Sequence, residues 1–137
     1  MGFRLPLPQT NEICRPDLGI VLNSNQVQLL PNDRGFQGTY DLCIEAISDS
    51  SAEDIRRDTV TKKEKYAQSG VKEYYILDGH VRYTAFYYLT PAGVYVLLQP
   101  ITGEIIQSTV LPGFQFRLLD LYIPPSLQAM MADPVYQ

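Results

Sequence analysis

Asp41-Leu42-Cys43-Ile44-Glu45-Ala46-Ile47-Ser48 is followed by a charged segment that carries Lys62 and closes at Gly70. Read as an extended strand, residues 40–47 set Asp41, Cys43 and Glu45 on one face and Leu42, Ile44 and Ala46 on the other. A carboxylate in the middle of so apolar a strand is costly to bury unless it is paired or metal-bound. Glu45 is therefore a candidate for chemistry, and the neighbouring sequence decides its partners.

Working outward, Ser50 with Glu53 three residues on has the pattern of a helix-capping box, and acids fill the first turn. The spacing predicts a helix from Ala52 to Ser69 with Gly70 as its C-cap. Upstream, Leu18 to Leu22 reads as a short strand behind Arg15-Pro16-Asp17, and the polar segment 23–38, with Pro31-Asn32-Asp33-Arg34-Gly35, as loop. Downstream, Val71 to Leu77 reads as a strand ending at a two-residue hairpin, Asp78-Gly79. Strands at Val81–Leu89, Val94–Gln99, Ile105–Val110 and Phe114–Leu119 then form a meander, with a short helix at Ser126–Ala132 before a frayed end.

This order predicts a mixed α/β or α+β domain. One curved, largely antiparallel sheet carries one main helix packed across it. The strand–helix–strand step over 40–77 predicts a right-handed crossover and therefore a parallel pair.

At 137 residues the chain fits a single compact domain, and 45% apolar with 19% charged residues is a globular composition. No apolar run approaches a membrane span, and Met1 to Thr10 lacks the make-up of a secretory signal, so a cytoplasmic protein is expected. Cys14 and Cys43 form no C-x-x-C pair and lie apart from the lone His80, which reads as a surface turn residue; both thiols are expected buried and free. A net charge of −4 argues against a protein that coats nucleic acid electrostatically. Arg56, Arg57, Lys62, Lys63 and Lys65 do cluster, but on charge alone they read as a solvated helix face balanced by Glu53, Asp54, Asp58 and Glu64.

At 100° per residue, Ile55, Thr59, Lys62 and Tyr66 fall in one stripe. Lys62 thus lies on or beside the buried face, where it either snorkels to solvent or reaches a carboxylate on the sheet. Glu45 is within reach of such a pairing. A divalent metal needs a second acid. Asp41 sits four residues away along the strand, roughly 13 Å, too far for easy sharing of one ion. Asp17 is the better partner if strands 17–22 and 40–47 lie side by side. Two acids, a metal and a lysine suit phosphodiester hydrolysis.

Arg15-Pro16-Asp17-Leu18, the Asp41–Ser48 strand, Asp58 through Lys62 to Tyr66, and Ala67-Gln68-Ser69-Gly70-Val71-Lys72-Glu73-Tyr74-Tyr75-Ile76-Leu77-Asp78 together resemble the Uma-two family. That family, abundant in cyanobacteria, consists of endonucleases of the PD-(D/E)XK superfamily. The turn Leu111-Pro112-Gly113-Phe114 also resembles the family's late Leu-Pro-Gly, and the likeness covers roughly residues 14–122. The resemblance implies a restriction-endonuclease-like core and magnesium- or manganese-dependent cleavage of DNA. Asp17 and Glu45 would be the metal ligands and Lys62 the charge stabiliser, with Asp41 (orienting a water or Lys62) and Tyr66 in support. The superfamily's usual lysine position falls at Ile47, and members of this family take the lysine from the following helix. The stripe reached Lys62 independently.

The chain departs from the family in three places. It lacks the family's usual N-terminal helix and strands with their further glutamate, for which Glu12 is no substitute; Tyr40 stands for a proline and Tyr75 for a tryptophan. A second reading follows: an inactive, shortened member serving as an oligomerisation or protein-binding module, to which the aromatic run Tyr83, Phe86, Tyr87, Tyr88 would contribute an outer face. A homodimer is expected under either reading, through sheet edges that the short N-terminus leaves open.

Overall fold

The structure, a computed structural model, describes residues 3–4, 13–14, 16–25, 27, 38–47 and 51–137. The Pro31–Gly35 turn, Ser50, Glu12 and the Cys14 side chain lie outside the described residues. The chain divides into two compact units, Met1–Leu97 and Leu98–Gln137.

In the first unit, β1 (Phe3–Arg4) and β2 (Ile13–Cys14) form a small antiparallel pair. Strands this short carry no periodicity, and none is foreseen there. The main sheet has the order β3 (Leu18–Ile20), β4 (Leu42–Ile47), β5 (Glu73–Asp78), β6 (Ala85–Leu89), β7 (Tyr95–Leu97). Only β4 and β5 run parallel, joined through the helix as the crossover requires; the other neighbours are antiparallel. The fold is α+β, with a mixed, mostly antiparallel sheet and one main helix. Among the described residues no helix is long and apolar enough to cross a membrane.

The alternation along β4 and β5 sorts two buried layers. Tyr40, Cys43, Ile47, Tyr74 and Ile76 join Tyr66 of the helix, Val71 and Tyr95 in the main core. The opposite face buries Leu42, Glu73, Tyr75 and Phe86, with the Tyr75 hydroxyl donating to Glu73 and its ring edge-on to Phe86. Gly19 of β3 is required by the first layer: a Cβ there would stand 2.4 Å from the Tyr40 ring. Burial pushes the Tyr40 phenol up to about 12.

The expected hairpin at Asp78-Gly79 is in fact a wider turn. Asp78 is buried, and its carboxylate accepts the amides of His80 (2.8 Å) and Tyr83 (2.9 Å), so β6 begins only at Ala85. These short-range bonds satisfy the acid locally and override the two-residue preference. Burial alone would raise its pKa, but the two amides and Arg82 outweigh burial and hold it low. Val81 takes a positive φ of 71° within this turn, and His80 is exposed as expected.

The second unit contains β8 (Ile105–Gln107) and β9 (Gln115–Arg117), which pair with each other and do not extend the main sheet. A 3-10 turn (Leu118–Leu121), the helix α3 (Leu127–Ala132) capped by Ser126, and a final 3-10 turn (Pro134–Tyr136) complete it. The terminus expected to fray is instead tied down. Arg117 donates to Asp133 at 2.7 Å and to Asp120 at 3.3 Å, and the Tyr136 hydroxyl bonds Asp120.

Candidate active site

The helix after β4 occupies the expected span, but it is not uniform. It comprises α1 (Ala52–Arg56), a π-helical turn (Arg57–Thr61) and α2 (Lys62–Ser69). Ser51, not Ser50, is the N-cap, its hydroxyl accepting the Asp54 amide, and Gly70 closes the far end at φ 86°. In the π-turn the Lys62 amide passes over Asp58 to bond the Arg57 carbonyl. The Asp58 carbonyl accepts the Tyr74 hydroxyl of β5 at 2.7 Å, and the Ile55 carbonyl accepts the Thr59 hydroxyl at 2.7 Å. Side-chain hydroxyls thus serve carbonyls around the widened turn, and one of them fastens it to the sheet. Single π-turns inside α-helices often accompany functional sites.

This turn delivers Lys62 to β4. Its ammonium lies 3.1 Å from Glu45 Oε2, and the Tyr66 hydroxyl donates to Glu45 Oε1 at 3.0 Å. Glu45 itself is 2% exposed. Burial raises its carboxyl above the ordinary glutamate range, against the opposing pull of Lys62 and the Tyr66 hydrogen bond. Burial, and then the negative charge of Glu45, drive the Tyr66 and Tyr74 phenols well above theirs, so both act as neutral donors. The rings of Tyr66 and Tyr74 stand 5.0 Å apart, backed by Tyr95, and hold these hydroxyls in place.

Asp58, read from the sequence as a solvated compensating acid, is buried. Its Oδ1 lies 3.6 Å from Lys62 Nζ and 3.6 Å from Arg57 Nε, and accepts no hydrogen bond among the described residues. The signal that identifies it is its i,i+4 spacing to Lys62. Among the clustered cations only Lys62 reaches Glu45; Lys63 stacks over the Tyr87 ring at 4.1 Å, and Arg57 pairs with Asp54 at 3.2 Å.

Asp17 lies at the exposed end of β3, and its Oδ2 accepts the Ala46 amide at 2.7 Å. The last paired residues are Leu18 and Ile44; one step further, the antiparallel register sets Asp17 opposite Glu45. Asp41 goes elsewhere. Its carboxylate accepts the Leu22 amide (2.7 Å) and the Asn25 side chain (2.9 Å) and lies 3.6 Å from Lys72 Nζ, so it does not orient Lys62.

Among the described residues no three His, Cys, Asp or Glu side chains gather into a metal-binding cluster. The chemistry of the donor set still fits a hard divalent ion. Magnesium commonly takes one or two carboxylates and fills its remaining positions with water and substrate phosphate. Glu45 and Asp17 present oxygen donors from adjacent strands, and each carboxylate oxygen has a second lone pair beyond the one already engaged.

A buried acid held by a lysine and a tyrosine thus stands at the joint of the strand–helix–strand unit of an α+β protein. The chain belongs to the Uma2 family, described as "Putative restriction endonuclease", whose family model matches residues 1–121. The match begins nearer the N-terminus than the motifs at 14–122 suggest. No curated protein matches the chain.

Proposed function

We propose that this protein is a metal-dependent DNA endonuclease. Glu45 and Asp17 would hold the divalent cation, magnesium or manganese, which when bound polarises the phosphate and lowers the pKa of an attacking water. The Lys62 ammonium neutralises negative charge developing on the phosphoryl oxygens. Tyr66 holds Glu45 in the orientation that offers its outer lone pairs. The observation that carries this reading is the buried Glu45 carboxylate engaged by both Lys62 and Tyr66, with Asp17 opposite in register.

The binding-module alternative drew on outward-facing aromatics. Phe86 is buried against Tyr75, and the Tyr87 ring stands 6.1 Å from Tyr95 beneath Lys63, so that run offers Tyr83 alone as an exposed ring. A cytoplasmic homodimer belongs to the same proposal; β3 and β7 are the outer strands of the main sheet and offer edges to a second copy. Supercoiled plasmid incubated with the purified protein and Mg2+ or Mn2+ provides the test. We expect nicking that chelation stops and that Glu45→Gln lacks. Cleavage no greater than that of the Glu45→Gln protein would sink the proposal.

A further inference from the structure

Lys62 stands between two buried acids but hydrogen-bonds only one of them. Its ammonium is on Glu45 Oε2 at 3.1 Å, while Asp58 Oδ1 waits at 3.6 Å with no hydrogen bond among the described residues. An interior carboxylate oxygen without a donor is costly and calls for an explanation. It is not a consequence of loose structure. The Asp58 carbonyl is fastened by Tyr74, the π-turn sets Asp58 one turn before Lys62, and Arg57, also 3.6 Å away, has a half-exposed side chain.

A divalent cation on Glu45 would meet the Lys62 ammonium at close range in a poorly screened interior, where like charges repel strongly. An ammonium displaced from there needs another counter-charge or must leave the site. We propose that Asp58 is a positioning residue, the second seat of the Lys62 ammonium: when a divalent cation engages Glu45, Nζ leaves Oε2 and closes on Asp58 Oδ1. The gap from 3.6 Å to a charge-assisted hydrogen bond of about 2.8 Å is within reach of the last side-chain torsions of a lysine. Lys62 then stays beside the phosphate instead of turning to solvent. This inference rests on the metal-dependent reading above.

Two experiments separate the inference from that reading. In a crystal structure of Glu45→Gln, loss of the carboxylate charge stands in for its capture. We expect Nζ within hydrogen-bonding distance of Asp58 Oδ1; an ammonium turned to solvent, or still on residue 45, would overturn the second seat. Should that variant not fold, the 15N resonance of the Lys62 ammonium in otherwise unchanged protein gives the same information. At saturating Mg2+ it should shift towards a hydrogen-bonded ammonium in the unaltered protein and towards a solvated one in Asp58→Asn, and the same shift in both would overturn the inference. Mn2+ titration followed by electron paramagnetic resonance completes the set. Asp58→Asn should weaken Mn2+ binding roughly tenfold with Lys62 present, and by under about twofold in a Lys62→Met background, where no ammonium needs rehousing. Equal weakening in both backgrounds, or none in either, rejects it. If the unaltered protein binds no Mn2+, the metal-dependent reading fails, and the Glu45→Gln structure still reports on the seat.

Discussion

Asp41 lies just before β4 and Glu45 within it, both buried, and they differ in what meets them. Asp41 is held by a backbone amide, a carboxamide and the distant end of a mostly exposed lysine. Its partners lie just after β3, so it fastens the connection between β3 and β4. Among the described residues Glu45 is met by two side chains, both from the helix, one of them a cation that a second acid also faces. Neutral backbone donors make a carboxylate a static fastener. A mobile charged donor, an aromatic hydroxyl and a neighbouring acid make it a site whose charges can be redistributed.

Substitutions should separate the two acids. Glu45→Gln is expected to lower metal-dependent plasmid cleavage by at least about a thousandfold while the circular dichroism spectrum stays unchanged. Residual cleavage near the original rate would place the chemistry elsewhere. Lys62→Met should reduce kcat on the order of a hundredfold at saturating metal, with single-turnover rates as the measurement. Asp41→Ala should act in the opposite sense. It removes the acceptor of the Leu22 amide and of one Asn25 side-chain bond, so we expect about 2–3 kcal/mol of lost stability in urea denaturation, with cleavage per folded molecule preserved. If cleavage falls with Asp41→Ala as steeply as with Glu45→Gln, the contrast between the two acids is wrong.

Tyr66→Phe removes one donor from Glu45 Oε1 and should cost about 1 kcal/mol in the same assay. The smallest effect is in pH dependence. Burial raises Glu45 in the folded state, so its contribution to stability is fully present below the ordinary glutamate pKa and is lost as pH rises through the raised value. Across that window the melting temperature of the unaltered protein should fall relative to Glu45→Gln. Parallel curves would show that Glu45 is not perturbed.

The parts of this arrangement that depend on local pattern were legible in the sequence. Alternation placed Glu45 on one face with Asp41 and Cys43, the 100° stripe put Lys62 and Tyr66 together within reach of it, and the acids with Gly70 marked the helix ends. Three features were not legible, each because its cause lies elsewhere in the chain. The π-turn is fastened by a hydroxyl from β5, sixteen residues beyond Asp58, and no helical periodicity announces that. Asp58 was read through its neighbours' charges because its burial depends on where that turn lands. Asp41 was placed near the lysine because nothing in the strand itself says that Leu22 and Asn25 supply its donors. The Asp78 turn failed for a related reason: dipeptide preference gave way to a side chain that binds two amides in a wider loop.

The π-turn has a last consequence, for spacing. A wide turn spends an extra residue without an extra winding, so the seventeen-residue step from Glu45 to Lys62 is a count as much as a composition. Keep the same interval but wind 57–61 as a regular helix, and everything beyond that turn is rotated by about 100° relative to what precedes it. The lysine would then leave the glutamate although every residue of the site were still present. A chain with a regular helix in place of this turn needs one residue fewer to present the same lysine, so the interval and the turn are compared together when sorting such sequences.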